Sequence, residues 1–176
     1  MSIVCEKKFD GRNRCYSKKI INMIESNVLI TVSAVPVNEV YALRASILLD
    51  GDEDASRFPG DHADDTLHLA VKQRGVTVGV ASVCGESPPA EIGLGGWRLR
   101  GVAVAPEARR LGLGRTLVRL CGIHACGKGG TVLWCTARES AKSFYDSLSF
   151  KQVGERFALP GRGDSLFYVM KFDLDG

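Results

Sequence analysis

The segment from Trp97 to Cys126 constrains the fold more than any other part of this 176-residue chain. It holds a strand-like run, a short loop in which two glycines stand two residues apart, and a stretch from Gly112 to Cys126 with apolar residues at helical spacing. That spacing predicts an amphipathic helix with one buried face. A strand, a sharp glycine loop and an immediate helix bring free backbone N–H groups together, so the segment predicts an anion site.

The loop between this strand and helix adds positive charge to the predicted anion site. Arg109, Arg110 and Arg115 surround Gly112 and Gly114, and guanidinium groups suit a polyphosphate. A dinucleotide-binding fingerprint needs a third glycine that this loop lacks, and a P-loop needs a Gly-Lys-Ser/Thr run that is also missing. A purely structural role for the two glycines, in a turn before a helix, stays open at this point.

The rest of the chain alternates predicted strands and helices. Apolar and β-branched runs predict strands at 28–35, 67–71, 76–83, 97–104, 131–136, 151–156 and 166–174. Helical stretches are predicted at 37–49, 112–126 and 141–148. The order βαβββαβαββ predicts one α/β or α+β domain with a mixed sheet and helices on both faces.

Two motifs give the chain a specific resemblance to a known family. Residues 102–114, Val-Ala-Val-Ala-Pro-Glu-Ala-Arg-Arg-Leu-Gly-Leu-Gly, resemble the acetyl-CoA signature of the Gcn5-related N-acetyltransferases (GNAT), a strand followed by Arg/Gln-x-x-Gly-x-Gly/Ala. Residues 141–150, Ala-Lys-Ser-Phe-Tyr-Asp-Ser-Leu-Ser-Phe, resemble the second family motif, A-x-x-F-Y-x-x-x-G-F. The resemblance covers about residues 28–174. It implies the GNAT acyl-CoA N-acyltransferase fold, whose central sheet is mostly antiparallel.

The resemblance also implies an activity, the transfer of an acetyl or other acyl group from acetyl-CoA to a primary amine. It implies that strand residues pair with the pantetheine arm and that the loop backbone holds the pyrophosphate, through Val102, Ala103, Val104, Arg109, Arg110, Leu111, Gly112, Leu113, Gly114 and Arg115. Tyr145 occupies the position whose hydroxyl, in many relatives, protonates the departing CoA thiolate. The alternative for Tyr145 is an aromatic ring packed in the core beside Phe144.

Two positions depart from the family motifs. Arg138 stands seven residues before Tyr145, where relatives often have Asn, which puts an amide contact to CoA in doubt. Ser149 replaces the Gly that usually precedes the last Phe of the second motif. Because Gly favours a tight helix-to-strand turn, we expect strain or a different turn at Ser149.

No residue stands out as the base that an amine acceptor needs. The amine must lose a proton before it attacks a thioester, directly to a side chain or through water. The strand 132–135 carries no carboxylate, and the remaining candidates are Asp61, His62, Asp64, His68 and Glu91. Each is also consistent with a solvated loop residue or, for His68, with a strand residue whose hydrogen bonds are made within the fold. A water relay is equally consistent with the sequence.

Other charged residues have structural and functional interpretations. Arg98 and Arg100 alternate with apolar neighbours, so their guanidinium groups share one strand face, where they bind either an acidic acceptor or acidic side chains of adjacent strands. His124 falls on the apolar face of its predicted helix. The tripeptide 162–164, Arg-Gly-Asp, follows Pro-Gly and is predicted to form a turn before the last strand.

The charge distribution argues against nucleic-acid binding. Residues 1–22 hold six basic and two acidic side chains, whereas the remainder is nearly neutral despite a net charge of +3. A nucleic-acid binder is expected to carry its basic patch on the folded domain. We predict a basic, disordered N-terminal extension at 1–27, with Met23 as an alternative start, followed by a single domain at 28–176.

Composition and cysteine spacing bound the remaining classes. Hydrophobic residues make up 45% and charged residues 24% of the chain, as in soluble proteins, and no apolar run approaches the roughly 20 residues of a membrane span. The six cysteines form no C-x-x-C pair, which favours reduced thiols and no metal site. We predict a cytoplasmic monomer or homodimer whose partners are acetyl-CoA and an amine acceptor.

Two other functions stay open. A GNAT-like module that binds acyl-CoA without turnover would act as a sensor or interaction domain; Tyr145 favours the enzyme, whereas the missing base and Arg138 favour the module. The loop at 109–115, which we call the anion loop, also suits the phosphates of a nucleotide. Because no cysteine or serine lies in a recognisable nucleophile motif, the expected chemistry is direct attack by the amine in a ternary complex.

Overall fold

A computed structural model describes residues 21–25, 28–89 and 95–174. The strands are β1 (Ile21–Glu25), β2 (Val28–Ala34), β3 (Leu67–Gln73), β4 (Val76–Gly85), β5 (Gly96–Val104), β6 (Val132–Arg138), β7 (Lys151–Ala158) and β8 (Leu166–Asp173). The helices are α1 (Asn38–Leu48), α2 (Leu113–Gly127) and α3 (Lys142–Asp146). Every predicted strand and helix has a counterpart, and its ends lie within two residues of the predicted ones.

The eight strands form one sheet in the order β1-β2-β3-β4-β5-β6-β8-β7. Neighbouring strands pair antiparallel except β5 and β6, which are parallel and connected through α2. Val40 of α1 packs on one face of the sheet with Ala70 and Val80, whereas Leu117 and Cys121 of α2 pack in the larger core on the other face. The predicted mixed, mostly antiparallel sheet with helices on both faces is confirmed. None of the helices described is long and apolar enough to cross a membrane.

Strand β1 lies inside the segment 1–27 that the sequence analysis assigned to a disordered extension. It pairs antiparallel with β2, from Ile21 opposite Val32 to Glu25 opposite Val28, so the sheet begins before residue 28. A short run with two isoleucines has strand propensity of its own, and the basic residues before it obscured that signal. Residues 1–20, the rest of the predicted extension, lie outside the described residues.

A β-bulge in β5 decides which side chains of this strand face which helix. Arg100 lies opposite Ser82 and Ala103 opposite Val80, so two residues of β5 face one residue of β4. Gly101, in the bulge, has a left-handed φ of +58°, which glycine adopts without steric cost. The bulge shifts the alternation by one residue, so both Leu99 before it and Val102 after it reach the core beneath α2.

Candidate active site

The loop between β5 and α2 has the backbone geometry expected of an anion site. Gly112 adopts a left-handed φ of +75° immediately before α2, and no side chain caps this helix. The first helical hydrogen bond of α2 is donated by the Thr116 amide to the Gly112 carbonyl, at 3.0 Å. The amides of residues 113–115 precede the helical hydrogen-bond ladder, so they are available to a ligand at the positive end of the helix dipole.

Three arginines surround these free amides. Arg110 has a left-handed φ of +63°, and Arg109, Arg110 and Arg115 all have exposed side chains. Arg109 Nε donates to the Val104 carbonyl at 3.2 Å, and Arg115 Nη2 donates to the Ser147 carbonyl at 3.3 Å. The first bond keeps the Arg109 guanidinium group at the end of β5, where the loop begins, whereas the second directs that of Arg115 to the turn after α3.

The two loop glycines are required for different reasons. A Cβ on Gly112 would meet no atom within 4 Å, so its left-handed backbone is what favours glycine. A Cβ on Gly114 would lie 3.3 Å from two ring carbons of Phe144, so Gly114 lets α2 approach α3. Leu113 is buried in the core, whereas Leu111 is 42% exposed.

Strands β5 and β6 pair over only part of their length. Their parallel register runs from Gly96 opposite Val132 to Arg98 opposite Trp134, yet β5 continues to Val104 and β6 to Arg138. Residues 99–104 of β5 and 135–138 of β6 therefore form no backbone hydrogen-bond ladder with each other. Free backbone groups on a strand edge bind water or an extended ligand. This edge includes Val102, Ala103 and Val104, the predicted pantetheine residues.

A cleft of about 380 Å³ lies where the two strands separate, and we call it the central cleft. Its wall includes Val102 of β5, Cys135 of β6 and Tyr145 of α3. The Tyr145 ring also packs edge-on against Phe144 and Phe150, with centroids 5.0 and 5.4 Å away. Tyr145 is thus a packed aromatic residue, as one interpretation expects, and it also lines the cleft.

The hydroxyl of Tyr145 lies beside the thiol of Cys135. Burial raises the pKa of Tyr145 well above its ordinary value, and the contact with Cys135 raises it further. Burial also raises the pKa of the Cys135 thiol to about 12. At neutral pH the tyrosine therefore carries a proton to donate, and Cys135 is a neutral thiol with little nucleophilic character.

Comparisons with known proteins agree with this geometry. A family model described as an acetyltransferase (GNAT) domain matches residues 64–152. The uncharacterized N-acetyltransferase YitI of Bacillus subtilis (strain 168) is 30% identical over 139 residues, which are 78% of this chain and 93% of YitI. The chain belongs to the GNAT family. The family assignment drawn from the two sequence motifs is thereby confirmed.

Solved GNAT structures share the fold of this chain. Aminoglycoside 6'-N-acetyltransferase complexed with coenzyme A has a TM-score of 0.64 and 15% identity, covering 81% of this chain and 96% of its own. The ribosomal-protein-S18-alanine N-acetyltransferase of Escherichia coli has a TM-score of 0.64 and 20% identity, covering 82% of this chain and 94% of its own. YncA of Salmonella typhimurium, solved with its cofactor acetyl-CoA, has a TM-score of 0.63 and 17% identity, covering 84% of this chain and 95% of its own. At these identities the likeness is one of fold.

The base candidates of this GNAT domain do not meet in the central cleft. Asp61 is buried and forms an ion pair with Arg44 at 2.7 Å, whereas His62 and Asp64 are exposed. None of these three, nor His68, belongs to the described lining of the cleft, and Glu91 lies outside the described residues. In the described ranges no three His, Cys, Asp or Glu side chains are grouped as metal ligands.

His68 is held in a hydrogen-bond network that fixes its tautomer. Its Nε2 lies 2.9 Å from the Asp61 carbonyl and its Nδ1 lies 2.6 Å from Ser82 Oγ. Because a carbonyl only accepts, Nε2 carries the proton and Nδ1 accepts from Ser82. Ser82 Oγ in turn accepts from Arg44 Nη2 at 2.5 Å. Burial lowers the pKa of His68, and the nearby Arg44 charge adds to this.

Glu86, immediately after β4, is a charged residue of the site that the sequence analysis missed. Its Oε1 pairs with Arg98 Nη1 at 2.6 Å, and its Oε2 pairs with Arg100, which are the two arginines predicted to share a face. Arg98 also lies over the Trp134 ring, 4.5 Å from its centroid. Because β4 and β5 pair antiparallel, the residue after the end of β4 lies beside the start of β5. A predicted hairpin between these strands would therefore have placed Glu86 next to Arg98.

The two departures from the family motifs have local consequences. Arg138 donates a hydrogen bond to the Leu48 carbonyl at the end of α1 and lines the central cleft. Ser149 has a left-handed φ of +68°, so the predicted strain in this turn is confirmed. Phe150 N–H then donates to the Tyr145 carbonyl at 3.1 Å, which closes the end of α3 as a glycine-type helix cap does.

Proposed function

We propose that this GNAT protein transfers an acetyl group from acetyl-CoA to a primary amine. The observation that carries the proposal is the central cleft, where the separated edges of β5 and β6 meet the side chain of Tyr145. The anion loop stands at the end of the same strand β5. Binding, reaction and proton donation can therefore take place along one strand.

The residues of the loop and strand fit the chemistry of CoA. Free amides at the N-terminus of α2, with Arg109, Arg110 and Arg115 beside them, suit a pyrophosphate. The unpaired edge of β5 from Val102 to Val104 offers alternating N–H and C=O groups, which suit the amides of a pantetheine arm. We assign cofactor binding to these groups and to the backbone of residues 109–115.

The reaction proceeds by direct attack. The amine nitrogen forms a bond to the thioester carbonyl carbon, the carbon–sulfur bond breaks, and CoA leaves as a thiolate. Tyr145 donates its hydroxyl proton toward the departing sulfur. Because the described lining of the cleft contains no carboxylate or imidazole, the amine proton leaves through water.

An acyl-cysteine intermediate is not favoured. Cys135 is the cysteine in the lining of the central cleft, and its thiol pKa of about 12 leaves almost no thiolate at neutral pH. A thiol in that state is a weak nucleophile. A ternary complex of acetyl-CoA and amine therefore accounts for the chemistry better than a two-step path.

The second candidate is a non-catalytic module that binds acyl-CoA as a sensor or interaction domain. The same lining, which holds no basic carboxylate or imidazole among the described residues, favours it. For either function we expect a cytoplasmic protein, monomeric or dimeric, that binds neither nucleic acid nor membrane. The described cysteines support a reducing compartment because Cys84, Cys121, Cys126 and Cys135 are all free thiols.

One assay separates these functions. Release of free CoA from acetyl-CoA is followed with a thiol reagent across a panel of primary amines, and hydrolysis without amine is subtracted. Amine-dependent release supports the enzyme. Stabilisation by acetyl-CoA in a thermal shift without any amine-dependent release supports the module. Stabilisation by ATP but not by CoA would overturn both and favour a nucleotide site.

A further inference from the structure

Four arginine side chains line the central cleft, and no acidic side chain does so among the described residues. They are Arg98 and Arg100 of β5, Arg138 at the end of β6, and Arg162 in the loop between β7 and β8. The four come from three separate elements, so the fold, and not one basic run of sequence, assembles this charge. Such a concentration of one sign in a cleft with low-dielectric walls attracts a ligand of the opposite sign.

The nearby acidic groups compensate only part of this charge. The single carboxylate of Glu86 is shared between Arg98 and Arg100. Arg100 is 12% exposed, and its Nε lacks a hydrogen-bond partner in the described structure. Arg138 donates to a neutral carbonyl, that of Leu48. Neither Arg138 nor Arg162 forms an ion pair with any residue that the structure describes. At least two half-buried guanidinium groups therefore have no carboxylate partner within the described ranges.

These arginines and the anion loop that we assign to the pyrophosphate are separated by the face of the sheet. The loop leads into α2, which packs on one face. Arg138 reaches α1, and Arg100 donates to the Pro59 carbonyl in the segment after α1, so these side chains lie on the α1 side of the sheet. Tyr145 belongs to the core on the α2 side. The arginines thus occupy the α1 side of the cleft, which remains for the acceptor.

We infer that the amine acceptor carries an anionic group, a carboxylate or a phosphate, which Arg138 and Arg162 bind while the amine points toward Tyr145. This inference rests on the proposed acetyltransfer and names its substrate class. A guanidinium fork matches both anions and forms charge-assisted hydrogen bonds to them. Polyamines and other polycationic amines are excluded by repulsion from the same arginines. An amino acid or an amine phosphate fits the cleft.

The test uses matched acceptors that differ only in the anion. An α-amino acid is compared with its carboxamide, O-phosphoethanolamine with ethanolamine, and spermidine serves as the polycation. We expect kcat/KM for the anionic member of at least one pair to exceed that of its neutral partner by about tenfold or more, since hydrogen bonds to charged groups are the strong ones. The pair that shows the larger difference in kcat/KM indicates whether the acceptor's anionic group is a carboxylate or a phosphate. Equal values in both pairs, or a preference for spermidine, would overturn the inference and leave acetyltransfer standing.

Variants locate the recognition. Arg162→Gln is expected to raise KM for the anionic amine and reduce the anion preference, while Arg162→Lys retains part of it. KM for acetyl-CoA should not change in either variant. Arg74→Gln, an exposed position in the turn between β3 and β4, is the matched control. An unchanged preference in both Arg162→Gln and Arg138→Gln, each folded by circular dichroism, would overturn the assignment.

A binding readout keeps the inference separate from the proposed function. If no amine is acetylated, acetyltransfer fails, and calorimetry of the CoA-loaded protein with the same acceptor pairs still decides the inference. Tighter binding of the anionic member supports it. Anionic members that bind no more tightly than their neutral partners overturn it.

Discussion

The guanidinium group of Arg44 lies directly against the α-carbon of Gly101. A Cβ on Gly101 would come within 2.5 Å of Arg44 Nε, and Arg44 is fully buried with its Nη1 on Asp61 at 2.7 Å. Its Nη1 also donates to the Ser56 carbonyl at 3.1 Å. Arg44 thereby ties the segment after α1 to the bulge of β5, which borders the central cleft.

Gly101→Ala should therefore destabilise the domain. The added Cβ would clash with buried Arg44, and the left-handed backbone at position 101 is strained for alanine. We therefore expect a loss of about 2 to 4 kcal/mol in the free energy of unfolding. Urea unfolding measures it. Gly163→Ala is the control, because Gly163 has a similar φ of +56° but open space around it. Equal losses in the two variants would mean that the Arg44 contact contributes nothing.

The loop glycines should respond differently to substitution. Gly112→Val forces a branched residue into a left-handed conformation at the anion loop, so we expect weaker acetyl-CoA binding in a folded protein. Gly112→Asn should retain more affinity, because Asn tolerates that conformation. Gly114→Val instead meets Phe144 and should lower the melting temperature. Calorimetry with acetyl-CoA and thermal unfolding separate the two effects, and unchanged affinity in Gly112→Val would contradict the loop assignment.

Tyr145→Phe removes the hydroxyl that we propose as the proton donor and leaves the packed ring in place. General acid catalysis contributes about 10²- to 10⁴-fold, and we expect a loss of kcat toward this range with acetyl-CoA affinity nearly intact. Tyr168→Phe is the control, since it removes an exposed hydroxyl that donates to Glu139. A folded Tyr145→Phe variant with wild-type kcat would make Tyr145 a packing residue only.

The pH profile of the wild type adds a second check on Tyr145. Its pKa lies well above the ordinary value because the side chain is buried. Tyr145 therefore stays protonated beyond the pH at which a free tyrosine ionises, about 10. We expect no loss of kcat from this residue as the pH rises to that point. A basic limb below that pH which disappears in Tyr145→Phe would contradict the raised pKa.

His68 should make the fold sensitive to mild acid. Its folded pKa is lowered, so the unfolded chain, with a pKa of about 6.5, takes up the proton first. Its contribution to stability is present above about pH 6.5 and is lost as the pH falls through the folded value. The groups that face it include Arg44, Asp61 and His62, and a protonated ring would also lose the hydrogen bond from Ser82.

Chemical unfolding between pH 7 and pH 5 measures this effect. His68→Gln should flatten the decline in the free energy of unfolding, even if the variant is less stable throughout. His62→Gln removes an exposed histidine whose charge only adds to the lowering of the His68 pKa, so it should change the slope less than His68→Gln does. A wild-type slope that persists in His68→Gln would assign the acid sensitivity to other groups.

The sequence by itself determined the elements and the family. Apolar residues at spacings of two and 3.6 located each predicted strand and helix, because burial of one face acts on local order. The glycine turn of the proposed anion loop was also predicted, since it depends only on the local order of a strand, a turn and a helix. Strand β1 was missed because its isoleucines follow a basic segment whose composition indicated disorder.

Only the tertiary structure decided what the charged residues do. Asp61 and His68 are chemically credible bases in the sequence, but Arg44 and Ser82, distant along the chain, hold them in a buried network. Arg138 and Arg162 line one cleft, which lies where β5 and β6 no longer pair beyond Arg98 and Trp134. Local patterns specify which face of an element is buried. Which charges meet across the sheet depends on strand order, register and one bulge, and these are set by packing between distant segments.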